Sequence, residues 1–232
     1  MHALDNICYQ ALTTRQAGFA ETFDQACRFV HEVSVIGGFL QPTARGYESL
    51  GALVKHGENV NLALESPYEP RAGWSVVRTC PMLQMVYQGN CTDLSLPGAV
   101  GERIVELGAA DVPEMMELTS LTKPGPFSKR THELGTYLGI RLDGKIIAMA
   151  GERMKVPGYT EVSAVCTHPE HTGKGYARVL MTALMRRICE RGERPFLHVR
   201  QENLHATALY ERLGFVKRVL LHLAVLRKDA TQ

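Results

Sequence analysis

The sequence predicts a mixed α/β fold, in which a central mixed sheet is flanked by helices and a smaller α/β half precedes it. Apolar, β-branched runs alternate with amphipathic helical segments through the second half of the chain. Asp143-Gly144 separates two of these runs and is a typical hairpin turn. A loop with Gly173 and Gly175 follows another run and opens directly onto a helical pattern. This order of elements is typical of an α/β domain.

A polar segment containing Gly and Pro, Tyr87–Gly98, divides the chain into residues 1–97 and 98–232. In the first part we predict helices at 13–29 and 47–55 and strands at 60–64 and 82–87. This part is interpreted either as a degenerate copy of the C-terminal fold or as a dimerisation or lid domain. The second interpretation includes a homodimer, and the sequence leaves both open.

The C-terminal part has clearer signals. Asp111 has the position of an N-cap, Pro113 lies in the first turn, and Gly214 lies where a helix ends. The predicted elements are a strand at 102–107, a helix at 111–121, strands at 137–141, 145–152 and 161–167, a helix at 175–190, a strand at 195–199, a helix at 203–213 and a strand at 219–226.

Composition excludes several classes of function. The hydrophobic fraction of 45% and the charged fraction of 22% are those of an ordinary globular protein. The net charge of +2 gives no electrostatic footprint for nucleic acid. We see no apolar run of membrane-spanning length and no leader, so a cytoplasmic location is the expectation and no membrane partner is predicted. The six cysteines have no paired spacing and are predicted to be reduced core residues.

The glycine loop before residue 176 indicates a phosphate site, because loop amides then point outward at the positive end of a helix dipole. A dinucleotide fingerprint needs a third glycine, but Arg178 stands at that position. A P-loop needs Gly-Lys-Ser/Thr, which is absent. Two interpretations remain: an ordinary glycine-rich turn, or a site for the pyrophosphate of an acyl-coenzyme A.

Two motifs resemble the GNAT superfamily of N-acetyltransferases. Its loop signature, Q/R-x-x-G-x-G/A, is matched by Thr172-Gly-Lys-Gly-Tyr-Ala177. Its second signature is matched by Asn203-Leu-His-Ala-Thr-Ala-Leu-Tyr-Glu-Arg-Leu-Gly-Phe215. The resemblance covers about residues 102–228 and is greatest to the branch related to glycine N-acyltransferases. It implies a GNAT-type sheet and acetyl-CoA as co-substrate, with no metal.

The resemblance also assigns the residues that bind the co-substrate. The pantetheine arm is expected along the backbone of Val165, Cys166 and Thr167, one of whose amides is the expected oxyanion donor. The other expected contacts are Thr172, Gly173, Lys174, Gly175, Tyr176, Ala177 and Asn203. Thr172 departs from the family's Gln or Arg and lacks the charge and reach of Arg, so weaker binding is expected.

Catalysis of amine acylation needs removal of a proton and protonation of the leaving thiolate. In the histone-acetyltransferase branch the base is a strand glutamate eleven residues before the loop's Gln/Arg. Here 172 minus 161 is 11, which makes Glu161 the first candidate and Glu152 the second. The alternative for either is a strand carboxylate that faces solvent or pairs with an arginine. Tyr210 has the family's general-acid position, and its alternative is a core-packed helix residue.

His168 and His171 have a spacing that a metal site would use, with Glu170 between them, but no further ligand is evident and no metal is predicted. On the substrate side, the loop 123–127, the segment 131–133 and Tyr159 resemble the family's lid. Asn203 is also predicted to cap the short helix that follows it.

The sequence therefore predicts an acetyl-CoA-dependent N-acyltransferase that acts in a ternary complex. The acceptor is expected to be the amine of a small molecule, since no peptide groove is evident. Two alternatives stay open: a non-catalytic acyl-CoA-binding regulatory module and a protein acetyltransferase.

Overall fold

The computed structural model describes residues 2–95 and 104–230. Its helices are α1 (Ile7–Thr13), α2 (Ala44–Leu53), α3 (Val112–Thr122), α4 (Tyr176–Glu190) and α5 (Leu204–Arg212). Its strands are β1 (Ala20–Phe23), β2 (Ala26–Phe29), β3 (Gly37–Phe39), β4 (Asn59–Leu64), β5 (Trp74–Tyr87), β6 (Ile104–Leu107), β7 (Tyr137–Leu142), β8 (Lys145–Val156), β9 (Tyr159–Thr167), β10 (Arg194–Arg200) and β11 (Phe215–Lys228).

The described strands form two sheets. β1, β2 and β3 make a small antiparallel sheet, and the other strands make an eight-stranded sheet in the order β4-β11-β5-β10-β9-β8-β7-β6. The pairing of β9 with β10 is parallel, and the other pairings in the large sheet are antiparallel. The prediction of a mixed sheet flanked by helices is confirmed.

The two faces of the sheet are covered by different helices. On β10, Phe196 packs in the cluster that contains α1, while Leu197 packs in the cluster that contains α4. This alternation follows from the two-residue period of a strand. Because both faces are covered, the middle strands bury almost every side chain, as in the run Ile146–Gly151.

The predicted boundary at residues 97–98 lies outside the described residues, as does Glu102 of the predicted strand at 102–107. Strands on both sides of that boundary share the large sheet, because β11 pairs with β4 and with β5. The N-terminal residues thus supply part of the sheet that carries the C-terminal motifs.

The predicted helix at 13–29 is wrong. Helix α1 ends at Thr13, and the chain then forms the hairpin of β1 and β2. Thr13 and Thr14 donate hydrogen bonds from their hydroxyls to the carbonyls of Tyr9 and Gln10. Such side-chain bonds to the backbone compete with continuation of the helix. Asp24, with φ of 47°, makes the turn between the two strands.

The prediction that all cysteines are reduced is also wrong. Cys91 and Cys189 form a disulfide, although their sequence separation of 98 gives no pairing signal. Cys8, Cys27 and Cys166 are free and buried, as expected, and Cys80 is free and half-buried. Within the described part of the chain, no helix combines the length and apolar character that crossing a membrane requires.

Candidate active site

The candidate site lies where β9 and β10 part. The two strands pair only from Tyr159–Glu161 to Arg194–Phe196, and they diverge beyond these residues. On the other side of β9, a register shift against β8 accompanies Ala164, whose φ is 52°. Such a bulge interrupts the ladder and bends the strand. The last residues of β9 therefore line an opening in the sheet.

A cavity of about 810 Å³ occupies this opening. Its walls include Val165, Cys166 and Thr167 from β9, and Asn203 and Tyr210 from the α5 region. The structure thus brings five of the predicted site residues together around one cavity. Their individual roles stay predictions.

The glycine loop lies between β9 and α4. Gly173 and Gly175 have φ of 77° and 80°, and a β-carbon at either would meet no atom within 4 Å. The glycines are therefore explained by their left-handed backbone and by open space above it. Gly175 stands at the N-cap of α4 and supplies no side-chain cap, which leaves the first-turn amides free for an anion.

The other loop residues are arranged around that open space. Thr172 is exposed, and its hydroxyl donates to the carbonyl of Pro169 at 3.0 Å. Lys174 Nζ lies 3.3 Å from His171 Nδ1. Ligand atoms of His168, Glu170 and His171 lie within 4.8 Å of one another. The absence of a metal here stays a prediction.

Asn203 caps α5, as predicted, because its side-chain oxygen accepts the Ala206 amide at 3.1 Å. Tyr210 is half-buried, packs near Phe215 with ring centroids 6.2 Å apart, and lines the cavity. Burial raises the pKa of its phenol to about 12. A phenol with this pKa keeps its proton at neutral pH, as a proton donor must.

Glu161 is fully buried and is held by four donors. Arg153 donates from Nη2 at 2.6 Å and from Nε at 2.9 Å, and the Met154 amide donates at 3.2 Å. His198 Nδ1 lies 2.7 Å from the same carboxylate. Each carboxylate oxygen of Glu161 therefore already contacts two donors.

The electrostatics of Glu161 do not fit direct proton abstraction. Burial opposes its ionisation, but the adjacent Arg153 charge and hydrogen bonds outweigh burial and lower its pKa to about 2. An efficient base has a pKa near the working pH. The arginine-paired alternative considered for Glu161 describes its contacts, and the part of Glu161 in catalysis stays a prediction.

A second bulge explains how the carboxylate is held. The register of β8 against β9 shifts between Glu152 and Lys155. The shift frees the Met154 amide from the ladder, and that amide bonds to Glu161 instead. Gln16 closes the outside of the bulge by donating to the Arg153 carbonyl at 2.7 Å and accepting the Lys155 amide at 3.1 Å.

Glu152 lies outside the cavity wall. It is buried and paired with Arg191 at 2.8 Å and with Lys155 at 2.9 Å. Its oxygen also accepts the Thr136 amide at 3.4 Å. These contacts match the arginine-paired alternative for Glu152 too, and they make it a structural ion pair between β8 and the end of α4.

His198, like Arg153, contacts Glu161 and lines the cavity wall, and its ring nitrogens can accept as well as donate a hydrogen bond. Arg218 Nη1 donates to Gln84 Oε1 at 2.8 Å, which directs the Gln84 amide nitrogen to His198 Nε2 at 3.2 Å. The imidazole therefore carries its proton on Nδ1 and presents Nε2 as an acceptor. His198 was missed because no motif contains it. Its alternation with Phe196 and Arg200 along β10 is the signal that was available.

The rest of the cavity wall comes partly from a predicted loop and mostly from segments that the sequence did not connect to the site. Residues 123–126, from the loop predicted to form a lid, line the cavity, and the role of that loop as a lid stays a prediction. Segment 131–133 and Tyr159 do not line the cavity. Thr131 instead bonds to the Val33 carbonyl, and Tyr159 packs near His2. The missed lining residues are Cys8, Ile36, Asn61, Leu62, Ala63, Arg78, Met82, Thr122, Arg153, Met154, His198, Val199, Arg200, Glu202, Ala206 and Leu223.

Comparisons with known proteins identify the family of the chain. The family model of FR47-like proteins matches residues 137–222. A solved structure from Novosphingobium aromaticivorans, described as a proposed acetyltransferase of the GNAT family, is 33% identical with a TM-score of 0.90, over 99% of this chain and 100% of that one. Comparison with curated proteins gives no match.

Two further structures share the fold. A Drosophila protein is 20% identical with a TM-score of 0.62, over 84% of this chain and 71% of that chain. A GCN5-related N-acetyltransferase from Kribbella flavida is 16% identical with a TM-score of 0.59, over 97% of each chain. Because the Novosphingobium protein is 33% identical over nearly the full length of both chains, the chain belongs to the GNAT family. It is an acyltransferase, and acyl transfer from acetyl-CoA is the general reaction of its class.

Proposed function

We propose that this chain transfers an acetyl group from acetyl-CoA to the amine of a small molecule in a ternary complex. The observation that supports the proposal is a cavity of about 810 Å³ that is lined together by the parted ends of β9 and β10, by the predicted lid loop and by strands of the N-terminal part. In this cavity the acceptor amine and the thioester of acetyl-CoA can bind next to one another. A lid over a pocket of this size favours a small acceptor over a peptide.

The proposed binding of acetyl-CoA uses the open loop described above. Amides of residues 173–177 bind the pyrophosphate at the positive end of α4. The pantetheine arm lies along Val165, Cys166 and Thr167, whose strand edge is unpaired beyond Glu161. An amide of this edge stabilises the oxyanion.

We propose His198, and not Glu161 directly, as the group that takes the amine's proton. Glu161 accepts from Nδ1 at 2.7 Å, so it holds the imidazole and stabilises its positive charge. The long 3.2 Å contact with Gln84 is the one that an amine or a water replaces at Nε2. Tyr210 then protonates the departing thiolate.

Calorimetry with acetyl-CoA, followed by thiol release over a panel of small amines, tests the reaction. We expect binding and turnover of at least one amine. Binding without any turnover would instead support the non-catalytic acyl-CoA-binding module. Turnover of peptide amines alone would support a protein acetyltransferase.

The role of His198 is tested by the pH dependence of kcat/KM. His198→Gln keeps a hydrogen bond toward Glu161 but cannot take a proton, so we expect kcat to fall about 100-fold. The acidic limb of the pH profile should also disappear. His205→Gln, an exposed histidine on α5, is the matched control. An unchanged pH profile in His198→Gln would overturn this role.

A further inference from the structure

A chain of polar groups runs from the N-terminal segment to His198. Gln84 on β5 and His198 on β10 are cross-strand partners. Val86 and Phe196, two residues away on the same strands, pack in the cluster with α1, so Gln84 and His198 lie on the face that α1 covers. Gln84 is fully buried. A buried amide needs partners for both its oxygen and its nitrogen, and these partners come from other parts of the chain.

Two groups fix the direction in which the Gln84 amide points. Arg218 Nη1 donates to the amide oxygen at 2.8 Å, and the amide nitrogen donates to the Leu4 carbonyl at 3.2 Å. The opposite orientation would place a donor against the guanidinium and an acceptor against the carbonyl. The amide nitrogen, which can only donate, is therefore held 3.2 Å from His198 Nε2.

Arg218 reaches this buried amide from a bulge in β11. The register of β11 against β5 shifts between Lys217 and Val219, which leaves Arg218 without a partner in the ladder. A bulge redirects a side chain in this way, and the Arg218 side chain is only 21% exposed. Its Nη2 donates to Asp5. Asp5 and Leu4 lie just before α1, so the N-terminal segment supports both the guanidinium and the amide.

We propose that the segment before α1 sets the tautomer of His198 through Arg218 and Gln84. Asp5, Arg218 and Gln84 are then positioning residues for acyl transfer. This inference rests on the proposed function, in which His198 Nε2 takes the proton of the amine. A donor held beside Nε2 opposes a proton on that nitrogen, so the neutral ring carries its proton on Nδ1, toward Glu161. The N-terminal part thereby acts on the base itself.

The other titratable and charged groups around His198 act from different sides. Glu161 of β9 contacts Nδ1, and Arg153 of β8 bonds to that same carboxylate. Cys8 of α1 lines the same cavity. Within the described chain, the hydrogen bond at Nε2 is the one with Gln84. A change at Gln84 therefore tests Nε2 and leaves the partner of Nδ1 in place.

The first test is ¹⁵N NMR of the protein with labelled histidine, which reports the tautomer directly. His198 is assigned by the signals that His198→Gln loses. At about pH 8, where an ordinary histidine is neutral, we expect a proton on Nδ1 and none on Nε2. A proton on Nε2 in the wild type would overturn the inference.

The second test inverts the contact at Nε2. Gln84→Glu places a carboxylate on each side of the ring, which stabilises the imidazolium, so Nε2 should stay protonated to higher pH. The acidic limb of kcat/KM should move to higher pH, with a loss of about 100-fold at neutral pH that alkaline pH restores. Gln88→Glu, at an exposed position just after β5, is the matched control and should keep the wild-type profile.

Two variants farther from the ring keep the test independent of the buried substitution. Arg218→Met frees the Gln84 oxygen to turn toward Nε2, and Asp5→Asn removes the charge that holds Arg218. We expect kcat/KM to fall about tenfold and about threefold, with the acidic limb moved to higher pH and the affinity for acetyl-CoA unchanged in calorimetry. Asp24→Asn is the control, because Asp24 pairs with Arg45 and is 31% exposed, against 32% for Asp5.

Different outcomes separate this inference from the proposed function. A loss of activity in Gln84→Glu and Arg218→Met without a change in the tautomer or the pH profile overturns the inference alone, because simple destabilisation moves neither. No turnover of any amine by the wild type, with acetyl-CoA bound, overturns the proposed function and with it the catalytic role of these residues. The NMR spectra of the variants then still decide whether Gln84 sets the tautomer.

Discussion

At the scale of single residues, the wall of the cavity depends on the ion pair of Glu161 and Arg153. The Glu161 side chain is buried and that of Arg153 is mostly buried, with exposed fractions of 0% and 11%. Removing one member of a buried pair leaves an uncompensated charge, which costs more than the pair contributes. Glu161 therefore holds Arg153 and His198 in position, and loss of this carboxylate is expected to destabilise the fold strongly.

We predict that Glu161→Gln lowers the free energy of unfolding by about 3 kcal/mol at pH 7. A carboxyl whose pKa is lowered in the folded state stabilises that state above its ordinary pKa of 4.5 and loses the contribution as pH falls through about 2. The difference between wild type and variant should therefore shrink across this range in urea titrations. Glu190→Gln, in an exposed pair with Arg186, is the control. Equal stability at pH 7 would show that the pair is not needed.

Tyr210 gives a second prediction at this scale. Tyr210→Phe keeps the ring packed against Phe215 but removes the hydroxyl, so we expect kcat to fall about 100-fold. The dissociation constant of acetyl-CoA by calorimetry should not change. Tyr159→Phe removes a hydroxyl outside the cavity and should keep wild-type kcat. An unchanged kcat in Tyr210→Phe would assign the residue to core packing alone.

At the scale of elements, two glycines at the ends of α4 separate binding from folding. Gly175 precedes the helix and Gly192 follows it, with φ of 80° and 76°. A β-carbon on either would meet no protein atom within 4 Å. An alanine at each position therefore has the same backbone strain, about 1 kcal/mol, but only Gly175 lies in the loop proposed to hold pyrophosphate.

We predict that Gly175→Ala weakens acetyl-CoA binding more than tenfold in calorimetry, because the methyl group enters the open space at the first-turn amides. Gly192→Ala should lower the melting temperature as much as Gly175→Ala does, but it should leave the affinity for acetyl-CoA unchanged. Equal affinities for both variants would show that the loop does not contact the co-substrate.

Most elements were predictable because each carries a local signal. The hairpin turn at Asp143-Gly144 and the cap at Asn203 act through contacts a few residues apart. The region 13–29 was not predictable as strands, since its hairpin is stabilised by packing against the chain beyond it. Cys27 and Phe29 are both fully buried in a cluster with α1.

At the scale of the whole molecule, part of the cavity wall is assembled by strand pairings that no local pattern reveals. The motif residues of β9 and α5 were located from the sequence, but Arg78 and Asn61 reach the cavity only because β11 lies between β4 and β5. No sequence signal assigned Arg153 to the site, although it follows the candidate residue Glu152 directly. Its bond to Glu161 depends on the bulge in β8.

The disulfide is the other connection at this scale. It joins Cys91, at the end of the N-terminal part, to Cys189, in the last turn of α4, and so spans 98 residues. This stretch includes the loop predicted to form a lid, β9 and the glycine loop. A cross-link of this length restricts the unfolded chain strongly, and native disulfides contribute about 2–4 kcal/mol.

We therefore predict that the double variant Cys91→Ser/Cys189→Ser is about 2–4 kcal/mol less stable than the oxidised wild type in denaturant titrations. Reduction of wild type with dithiothreitol should give the same loss, because it breaks the same bond. Cys80→Ser alters a free, half-buried thiol and should retain both the stability and its sensitivity to reductant. If reductant destabilised the double variant as much as wild type, the stabilising bond would have to lie elsewhere in the chain. If it changed neither, the link between the N-terminal part and α4 would contribute nothing, and the shared sheet alone would hold the two parts together.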